Sequence, residues 1–300
     1  MPKKVLIAFG SPSDLDKVPI ITKTGDAYHL ADGVRGSDTD YYMSVASAHR
    51  TPETVERHAR TGGWDAVIAV AGMKNLLVDA YLQHTSTNTD KVDNLCHTNV
   101  GTLLVALPMD DKVMCGVSSM LSSSETPPGY PIGMVGLGNL PAAVRFVNYA
   151  LQPHEKVSLH SRGSTIKSDR AMYDVAKMLK RLGVDYQFPT QIEPDTLNLL
   201  AYDNPLTPAI ADDVPVICTY NMPVELRRNG RFDLAWLGLY LDGVNKHDNY
   251  VHVGVANGGN LGLYAAKIVA RHDPDVRGRI ADLIVEGREK YNDFKDVRQL

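Results

Sequence analysis

Short apolar runs recur along the chain, and each ends at a polar loop or at a turn residue. The runs at 3–9, 65–72 and 102–108 are almost wholly apolar, which is typical of strands buried on both faces of a sheet. A shorter run at 42–46 precedes Pro52, a residue that suits the first turn of a helix. The pattern therefore predicts strands alternating with helices, and a parallel sheet covered by helices on both faces.

The second half of the chain repeats this order with recognisable sequence similarity. The repeated pairs are KVLIAFGSPSD (4–14) with KVSLHSRGSTIKSD (156–169), GTLLVALPM (101–109) with VPVICTYNMP (214–223), and IGMVGLGNLPAAVRFVNYAL (132–151) with VHVGVANGGNLGLYAAKIVA (251–270). A repeat of this length predicts two tandem domains, at 1–152 and 153–300, each a three-layer flavodoxin-like α/β fold with a parallel sheet. In the second copy Gln191 stands where the first has His49, so only the first copy is expected to be catalytic.

Four local features complete the predicted organisation. Ser13 or Asp14 is expected to cap a helix after the first strand. The polar stretch at 84–99 is interpreted as a loop or lid, and PIGMVGLGN (131–139) as a strand. The charged C-terminal stretch has apolar residues at helical spacing, which predicts a helix that packs either on a neighbouring subunit or on its own domain.

Composition and charge narrow the possible partners. The net charge of −4 predicts no nucleic-acid partner, because such binding needs a basic surface. No apolar run approaches the length of a membrane span or a signal sequence. Cys96, Cys115 and Cys218 are too scattered for a disulfide framework or a zinc site, which favours a cytoplasmic setting. His247, Asp248 and His252 are interpreted as ordinary polar residues and not as metal ligands.

The first chemically suggestive loop follows the first strand. Gly10, Ser11, Ser13 and Asp14 supply a glycine turn, two hydroxyls and a carboxylate before a predicted helix. Free backbone amides at such a turn attract a phosphate, whereas a carboxylate repels one. Asp14 is therefore better suited to a ribose hydroxyl pair, unless it serves only as a helix cap.

The second loop combines a hydroxyl, an imidazole and a permanent cation in Ser47, Ala48, His49 and Arg50. An arginine can hold a phosphate through two parallel charge-assisted hydrogen bonds. An imidazole gains and loses a proton near neutral pH, so it can move a proton during a reaction. On its own such a histidine would more often be an ordinary polar residue.

The third loop, after the run at 65–72, contains Gly72, Lys74 and Asn75. It offers a close backbone approach, a second cation and an amide, although Lys74 alone could be a surface charge. Because the carboxyl ends of parallel strands meet at one edge of a sheet, the three loops are expected to converge. Together they suit a ribose 5-phosphate that carries a small polar base.

Three motifs of residues 5–150 resemble the phosphoribosylaminoimidazole carboxylase family of purine biosynthesis. They are GSPSD (10–14), SAHRTP (47–52) and the stretch SSETPPGYPIGMVGLGN (123–139) with its following small-residue helix. AVAGMKN (69–75) is more similar to the third loop of the direct-carboxylase branch than to that of the mutase branch. It departs from that branch at Met73 and Lys74, and Arg50 is the residue typical of the mutases.

The resemblance implies addition of CO2 to C4 of 5-aminoimidazole ribonucleotide, without a metal or other cofactor. It implies that His49 is the proton shuttle. Ser11 and Asp14 would contact the ribose, Ser13, Ser47 and Arg50 the phosphate, and Gly72, Lys74 and Asn75 the base and its carboxylate. It also implies a homo-oligomer, here a dimer or tetramer of the fused pair.

Two other functions remain open from the sequence. GLGNLP (136–141) is similar to the glycine turn of dinucleotide-binding folds, and Arg162 could then contact the 2′-phosphate of NADP in an oxidoreductase. Pro141 at the third glycine position argues against this interpretation. The second alternative is a non-catalytic protein that binds a phosphoribosyl ligand, since Leu76 replaces the histidine of the mutase loop.

Overall fold

The computed structural model describes most of the chain. It covers residues 2–289 except for 19–20, 25–26, 31–35, 37, 62, 73–75, 87–99, 111–114, 125, 155, 163–165, 204–213, 222–233 and 256.

The first half contains seven strands and five helices in its described part. The strands are β1 (Lys3–Phe9), β2 (Ile21–Thr24), β3 (Ala27–Leu30), β4 (Thr39–Val45), β5 (Ala66–Ala71), β6 (Leu103–Pro108) and β7 (Gly133–Met134). The helices are α1 (Pro12–Leu15), α2 (Pro52–Thr61), α3 (Leu76–Ser86), α4 (Val117–Ser124) and α5 (Leu140–Ala150). The alternation of strands and helices that the apolar pattern predicts is confirmed.

The second half contains five strands and four helices in its described part. The strands are β8 (Val157–Arg162), β9 (Tyr186–Gln187), β10 (Leu197–Tyr202), β11 (Val216–Tyr220) and β12 (Tyr250–Val255). The helices are α6 (Ile166–Arg181), α7 (Leu234–Lys246), α8 (Gly258–Val269) and α9 (Pro274–Glu289). Between β9 and β10 the chain has no helix equivalent to α2, so this half is the more reduced of the two.

Ten strands form one sheet in the order β4-β1-β5-β6-β7-β12-β11-β10-β8-β9. Each half therefore has the flavodoxin-like order 2-1-3-4-5. Within each half the strands are parallel, but β7 and β12 pair antiparallel where the halves meet. The strands of the two halves consequently run in opposite directions, and their carboxyl ends lie at opposite ends of the strands. The loops after β1, β4 and β5 therefore form a site without the loops of the second half. The matching strand orders are what a tandem duplication would produce, and the duplication stays a prediction.

Helices cover the sheet on both faces, which confirms a three-layer α/β architecture. Alternate residues of β1 enter two separate cores, with Val5, Ile7 and Phe9 in one and Leu6 and Ala8 in the other. The first core is closed by α5, α6, α8 and α9. The second is closed by α2, α3, α4 and α7. Because the strands are apolar on both faces, burying both faces stabilises the sheet.

Side chains on α8 and just beyond it join the second half to the first. Tyr264 donates from its hydroxyl to the carbonyl of Leu104 at 2.9 Å and stacks on Phe146. Arg271 forms an ion pair with Asp65 and donates to that residue's carbonyl at 3.1 Å. In the opposite direction, Tyr149 at the end of α5 donates to the carbonyl of Thr196 in the second half. The two halves therefore pack as one unit.

Some predicted boundaries were wrong. The strand predicted over 131–139 is reduced to β7, because the backbone from Gly136 to Asn139 forms a turn that caps α5. Residues 84–86 of the predicted loop complete α3, while 87–99 lie outside the described residues. The hairpin of β2 and β3, which pair antiparallel, was not predicted and occupies the long connection before β4.

The C-terminal helix packs on its own chain. Val276 and Ile280 of α9 are buried in the first core, with Leu283 and Ile284 partly buried beside them. The alternative in which this stretch packs on its own domain is the one observed. Within the described ranges, no helix combines the length and apolar character required to cross a bilayer.

Candidate functional site

A cleft of about 590 Å³ lies at the carboxyl ends of β1, β4 and β5. It brings together nine of the predicted site residues: Gly10, Ser11, Ser13, Asp14, Ser47, Ala48, His49, Arg50 and Gly72. The other two, Lys74 and Asn75, lie outside the described residues. The convergence of the loops is thus observed, and the role of each residue stays a prediction.

The loop after β1 reaches the cleft through a close approach to β5. The amide of Gly10 donates to the carbonyl of Val70 at 2.8 Å, and a Cβ at Gly10 would stand 3.2 Å from the Cβ of Ala71. A side chain here would be in tight contact with Ala71, which favours glycine at this close approach. The hydroxyls of Ser11 and Ser13 are 2.6 Å apart.

The cap of α1 differs from the prediction. The helix begins at Pro12, so Ser11 is the capping residue, and neither Ser13 nor Asp14 is. The helix is only four residues long, so its dipole adds little to anion binding. The oxygen of Ser11 makes no capping hydrogen bond. The hydroxyls of Ser11 and Ser13 instead hydrogen-bond each other, and both residues line the cleft.

Asp14 is a buried carboxylate at the floor of the cleft, with 4% of its surface exposed. Burial raises the pKa of Asp14 above its ordinary value, and the Lys17 ammonium and hydrogen bonding from Ser11 partly offset that effect. Lys17 also donates to the carbonyl of Asp110 at 2.6 Å. A buried carboxylate has lost hydrogen bonds to water, and the partners named here replace them only in part. Hydroxyl donors, such as those of a ribose, would stabilise its charged form further.

Ser47 shapes the second loop. Its hydroxyl oxygen accepts from the backbone amides of His49 and Arg50, both at 3.3 Å. Its own amide donates to the hydroxyl of Thr51 at 3.0 Å, and the Thr51 amide donates to the Ser47 carbonyl at 2.9 Å. This turn fixes the loop before α2, and within the described residues the Ser47 hydroxyl acts only as an acceptor.

The turn exposes the two side chains with the most useful chemistry. His49 and Arg50 are both exposed and both line the cleft. Within the described part of the chain, neither side chain is engaged in a hydrogen bond or an ion pair. An unpaired guanidinium and an unpaired imidazole on one wall can bind an anion and move a proton next to it.

The third wall comes from the end of β5 and the start of α3. The carbonyl of Ala71 accepts from the amide of Met109 at 3.0 Å and from the hydroxyl of Ser119 at 2.7 Å. These bonds fix the backbone next to Gly72. Leu76 and Leu77 add an apolar surface to this side of the cleft, which suits the face of a flat ring.

The sequence did not assign Lys17, Leu77 and Asp110 to the cleft, and it indicated Leu76 only as the position of the mutase histidine. Lys17 could have been found, because it lies one helical turn beyond Asp14. Asp110 could not, since its loop after β6 carries no motif. The described lining of the cleft therefore comes from four loops, whereas the sequence predicted three. It also includes a second cation, Lys17, besides Arg50.

The glycine loop of the dinucleotide alternative is occupied by protein contacts. Gly136 packs against Asn245, which accepts from the amide of Leu137 at 2.8 Å. Asn139 caps α5 and donates to Asp248 at 2.6 Å. A pyrophosphate would have to displace these contacts between the halves, so the geometry weighs against an NADP site here.

His252 lies within β12 and has no exposed surface. Its Nδ1 atom is 3.2 Å from the sulfur of Cys218, and its ring stacks on Tyr220. Burial lowers the pKa of His252 to about 3, so it is a neutral core residue. Across the described ranges no group of three potential ligands is placed to hold a metal ion, and Cys96 lies outside those ranges.

Several known proteins are similar to this chain in sequence. Three are N5-carboxyaminoimidazole ribonucleotide mutases. That of Pyrococcus abyssi is 31% identical over 137 residues, which are 45% of this chain and 65% of that protein. That of Methanocaldococcus jannaschii is 33% identical over 98 residues, 33% of this chain and 52% of that protein. That of Brucella melitensis is 23% identical over 168 residues, 55% of this chain and 86% of that protein.

The chain is related to these mutases. The resemblance first seen in the three motifs is thereby confirmed. The chain spans less than two thirds of the length of the first two relatives it matches. No protein-family model matches it.

Proposed function

We propose that this protein forms the carboxylate at C4 of 5-aminoimidazole ribonucleotide, a step of purine biosynthesis. The observation that carries the proposal is the cleft, in which Asp14, His49 and Arg50 line one cavity. The relatives, N5-carboxyaminoimidazole ribonucleotide mutases by name, act on a nucleotide of this class. The cleft volume of about 590 Å³ is adequate for a mononucleotide.

The placement of the ligand follows from charge. Arg50 and the hydroxyls of Ser13 and Ser47 would bind the 5′-phosphate, because a guanidinium and hydroxyls are the donors that an anion requires. Ser11 would contact the ribose. Asp14 would accept from the ribose hydroxyls, since its carboxylate repels phosphate. The base would then lie between His49 and the apolar wall of Leu76 and Leu77. Lys74 and Asn75 are proposed to contact the base and its carboxylate.

The reaction needs little beyond position and proton transfer. The aminoimidazole ring is an electron-rich enamine, so C4 can attack the carbon of CO2 and form the new C–C bond while an oxygen takes the electron pair. The C4 proton then passes to His49 and the ring regains aromaticity. Holding the two reactants together supplies much of the rate, and such acid–base assistance adds about 10²–10⁴-fold.

The carbon donor is proposed to be free CO2. The names of the relatives favour a second candidate, in which a carboxyl group on the exocyclic amine is the source. Both share the same C–C bond-forming step, because loss of the N-carboxyl group would release CO2 beside C4. In the second candidate the amine nitrogen takes a proton from His49 as the N-carboxyl group leaves as CO2, and His49 then accepts the C4 proton as in the first.

Two reactions test whether the protein forms the C4 carboxylate and which carbon donor it uses. The protein is incubated without ATP, first with 5-aminoimidazole ribonucleotide and ¹³C-bicarbonate, then with the N5-carboxylated nucleotide. We expect the C4 carboxylate in the first reaction, detected by ¹³C NMR. Product from the second alone would assign the protein to mutase chemistry. Binding of the nucleotide with no product from either donor would refute catalysis and favour a phosphoribosyl-binding protein.

A further inference from the structure

A second cavity lies in the second half, outside the proposed catalytic cleft. It is a groove of about 690 Å³ between α6 and the edge strand β9. Its lining residues are Ser161, Met172, Tyr173, Ala176, Lys177, Lys180, Tyr186 and Phe188. A volume of this size is typical of small-molecule sites.

The first half has an equivalent position, and there it is filled. Tyr186 pairs with Val157 at the edge of the second half as Tyr41 pairs with Val5 at the edge of the first. Over β1 and β4 the hairpin places Ile21 and Leu30 against the strand side chains, which leaves a cavity of only about 40 Å³. The second half has α6 at this position and leaves the space beside it open.

The open groove exposes aromatic surface that a folded protein normally buries. Tyr173 and Phe188 are 67% and 66% exposed. Phe188 and Tyr186 meet edge to face, with ring centroids 5.8 Å apart. Aromatic side chains held in this way offer a preformed apolar surface for a flat ring.

The rim of the groove is cationic. Lys177 and Lys180 are three residues apart on α6, so they lie on the same side of the helix. Both are exposed, and neither makes an ion pair or a hydrogen bond within the described residues. Ser161 adds a hydroxyl at the end of β8. Two unpaired ammonium groups beside an aromatic surface are complementary to a molecule with a flat ring and an anionic group.

We propose that this groove is a second ligand site, which binds a planar aromatic anion with its ring on Tyr186 and Phe188 and its charge at Lys177 and Lys180. The groove and the cleft lie at the two opposite edges of the ten-stranded sheet, about 40 Å apart at the usual strand spacing. The proposal therefore does not depend on the proposed function, and either can fail alone.

Two dyes of similar shape and different charge test the site in the full-length protein. The probes are 8-anilinonaphthalene-1-sulfonate, which is anionic, and neutral N-phenyl-1-naphthylamine, each titrated by fluorescence. The double variant Lys177→Gln/Lys180→Gln should weaken binding of the sulfonate by about tenfold and change binding of the neutral dye less than twofold, since about 1.4 kcal/mol of charge attraction is lost. Phe188→Ser should weaken binding of both dyes. Lys246→Gln, an exposed lysine on α7, is the matched control and should change neither.

Three results would overturn the assignment. One is the absence of saturable binding of the sulfonate at one molecule per chain. Another is wild-type affinity for the sulfonate in the double lysine variant. The last is undiminished binding of both dyes to Phe188→Ser. Circular dichroism of each variant before titration verifies that the fold is retained.

Discussion

The ion pair between Arg271 and Asp65 is predicted to be a main energetic link between the two halves. The side chain of Arg271 is only 9% exposed and that of Asp65 is 30% exposed. Arg271 also donates to the carbonyls of Asp65 and Gly101, and Asp65 accepts from the amide of Lys4 at 2.7 Å. Removing either partner leaves the other charge largely buried and unpaired.

The size of the effect follows from this burial. Breaking a fully buried pair costs about 3–5 kcal/mol, and the partial exposure of Asp65 lowers the expected cost to about 2–3 kcal/mol. Urea unfolding of Asp65→Ala, Arg271→Leu and the double variant gives the coupling energy between the two residues. We expect the double variant to be destabilised by clearly less than the sum of the single changes.

A second ion pair provides the control. Arg181 and Glu286 join α6 to α9 but are 49% and 52% exposed. Exposed pairs contribute only about 0–1 kcal/mol, so the same cycle there should give a coupling energy below about 1 kcal/mol. A coupling energy for Arg271 and Asp65 no larger than this control would show that burial does not strengthen this ion pair.

Three further predictions follow from individual side chains. Arg50→Ala should weaken binding of the nucleotide by about tenfold or more and weaken binding of its nucleoside far less. Equal losses of affinity in calorimetry would show that Arg50 does not contact the phosphate. Burial raises the pKa of Asp79 to about 6. The folded state therefore loses stability as pH rises from about 4 to about 6. The loss is at most about 3 kcal/mol, and about 1–2 kcal/mol once solvent screening is included. Asp79→Asn should therefore raise the melting temperature at pH 7.5 and leave it unchanged at pH 4, whereas an equal gain at both would contradict this. Asn260 is 1% exposed, accepts from the amide of Gly129 at 2.8 Å and donates to the carbonyl of Pro127 at 3.0 Å. Asn260→Leu should lower the unfolding free energy by about 2–3 kcal/mol. No change in urea unfolding would show that the Gly129 amide and the Pro127 carbonyl find other partners.

Much of the fold could be predicted because the strands are buried on both faces. A run such as that of β5, with every residue buried, has few alternatives to a central strand. The order 2-1-3-4-5 in each half agrees with the predicted fold class. Where the apolar signal weakens, as in the hairpin of β2 and β3, the sequence contained no pattern that predicted the element.

The site could be located but not completed from the sequence. Motif residues such as Ser47 and His49 follow strands directly, so parallel pairing brings them to one edge. Lys17 and Asp110 enter the cleft through tertiary contact, because the Lys17 ammonium reaches a carbonyl 93 residues away. The antiparallel join of β7 with β12 also depends on how the two halves meet, which local sequence does not specify.

In the proposed mechanism His49 moves the C4 proton of a nucleotide that neighbouring residues of the cleft bind. The direct measurement compares wild type and His49→Asn for nucleotide affinity by calorimetry and for C4 carboxylate formation by ¹³C NMR, on the same samples. We expect His49→Asn to bind the nucleotide with affinity within about threefold of wild type and to form the carboxylate at least about 10²-fold more slowly. Carboxylation by His49→Asn at close to the wild-type rate would contradict this mechanism.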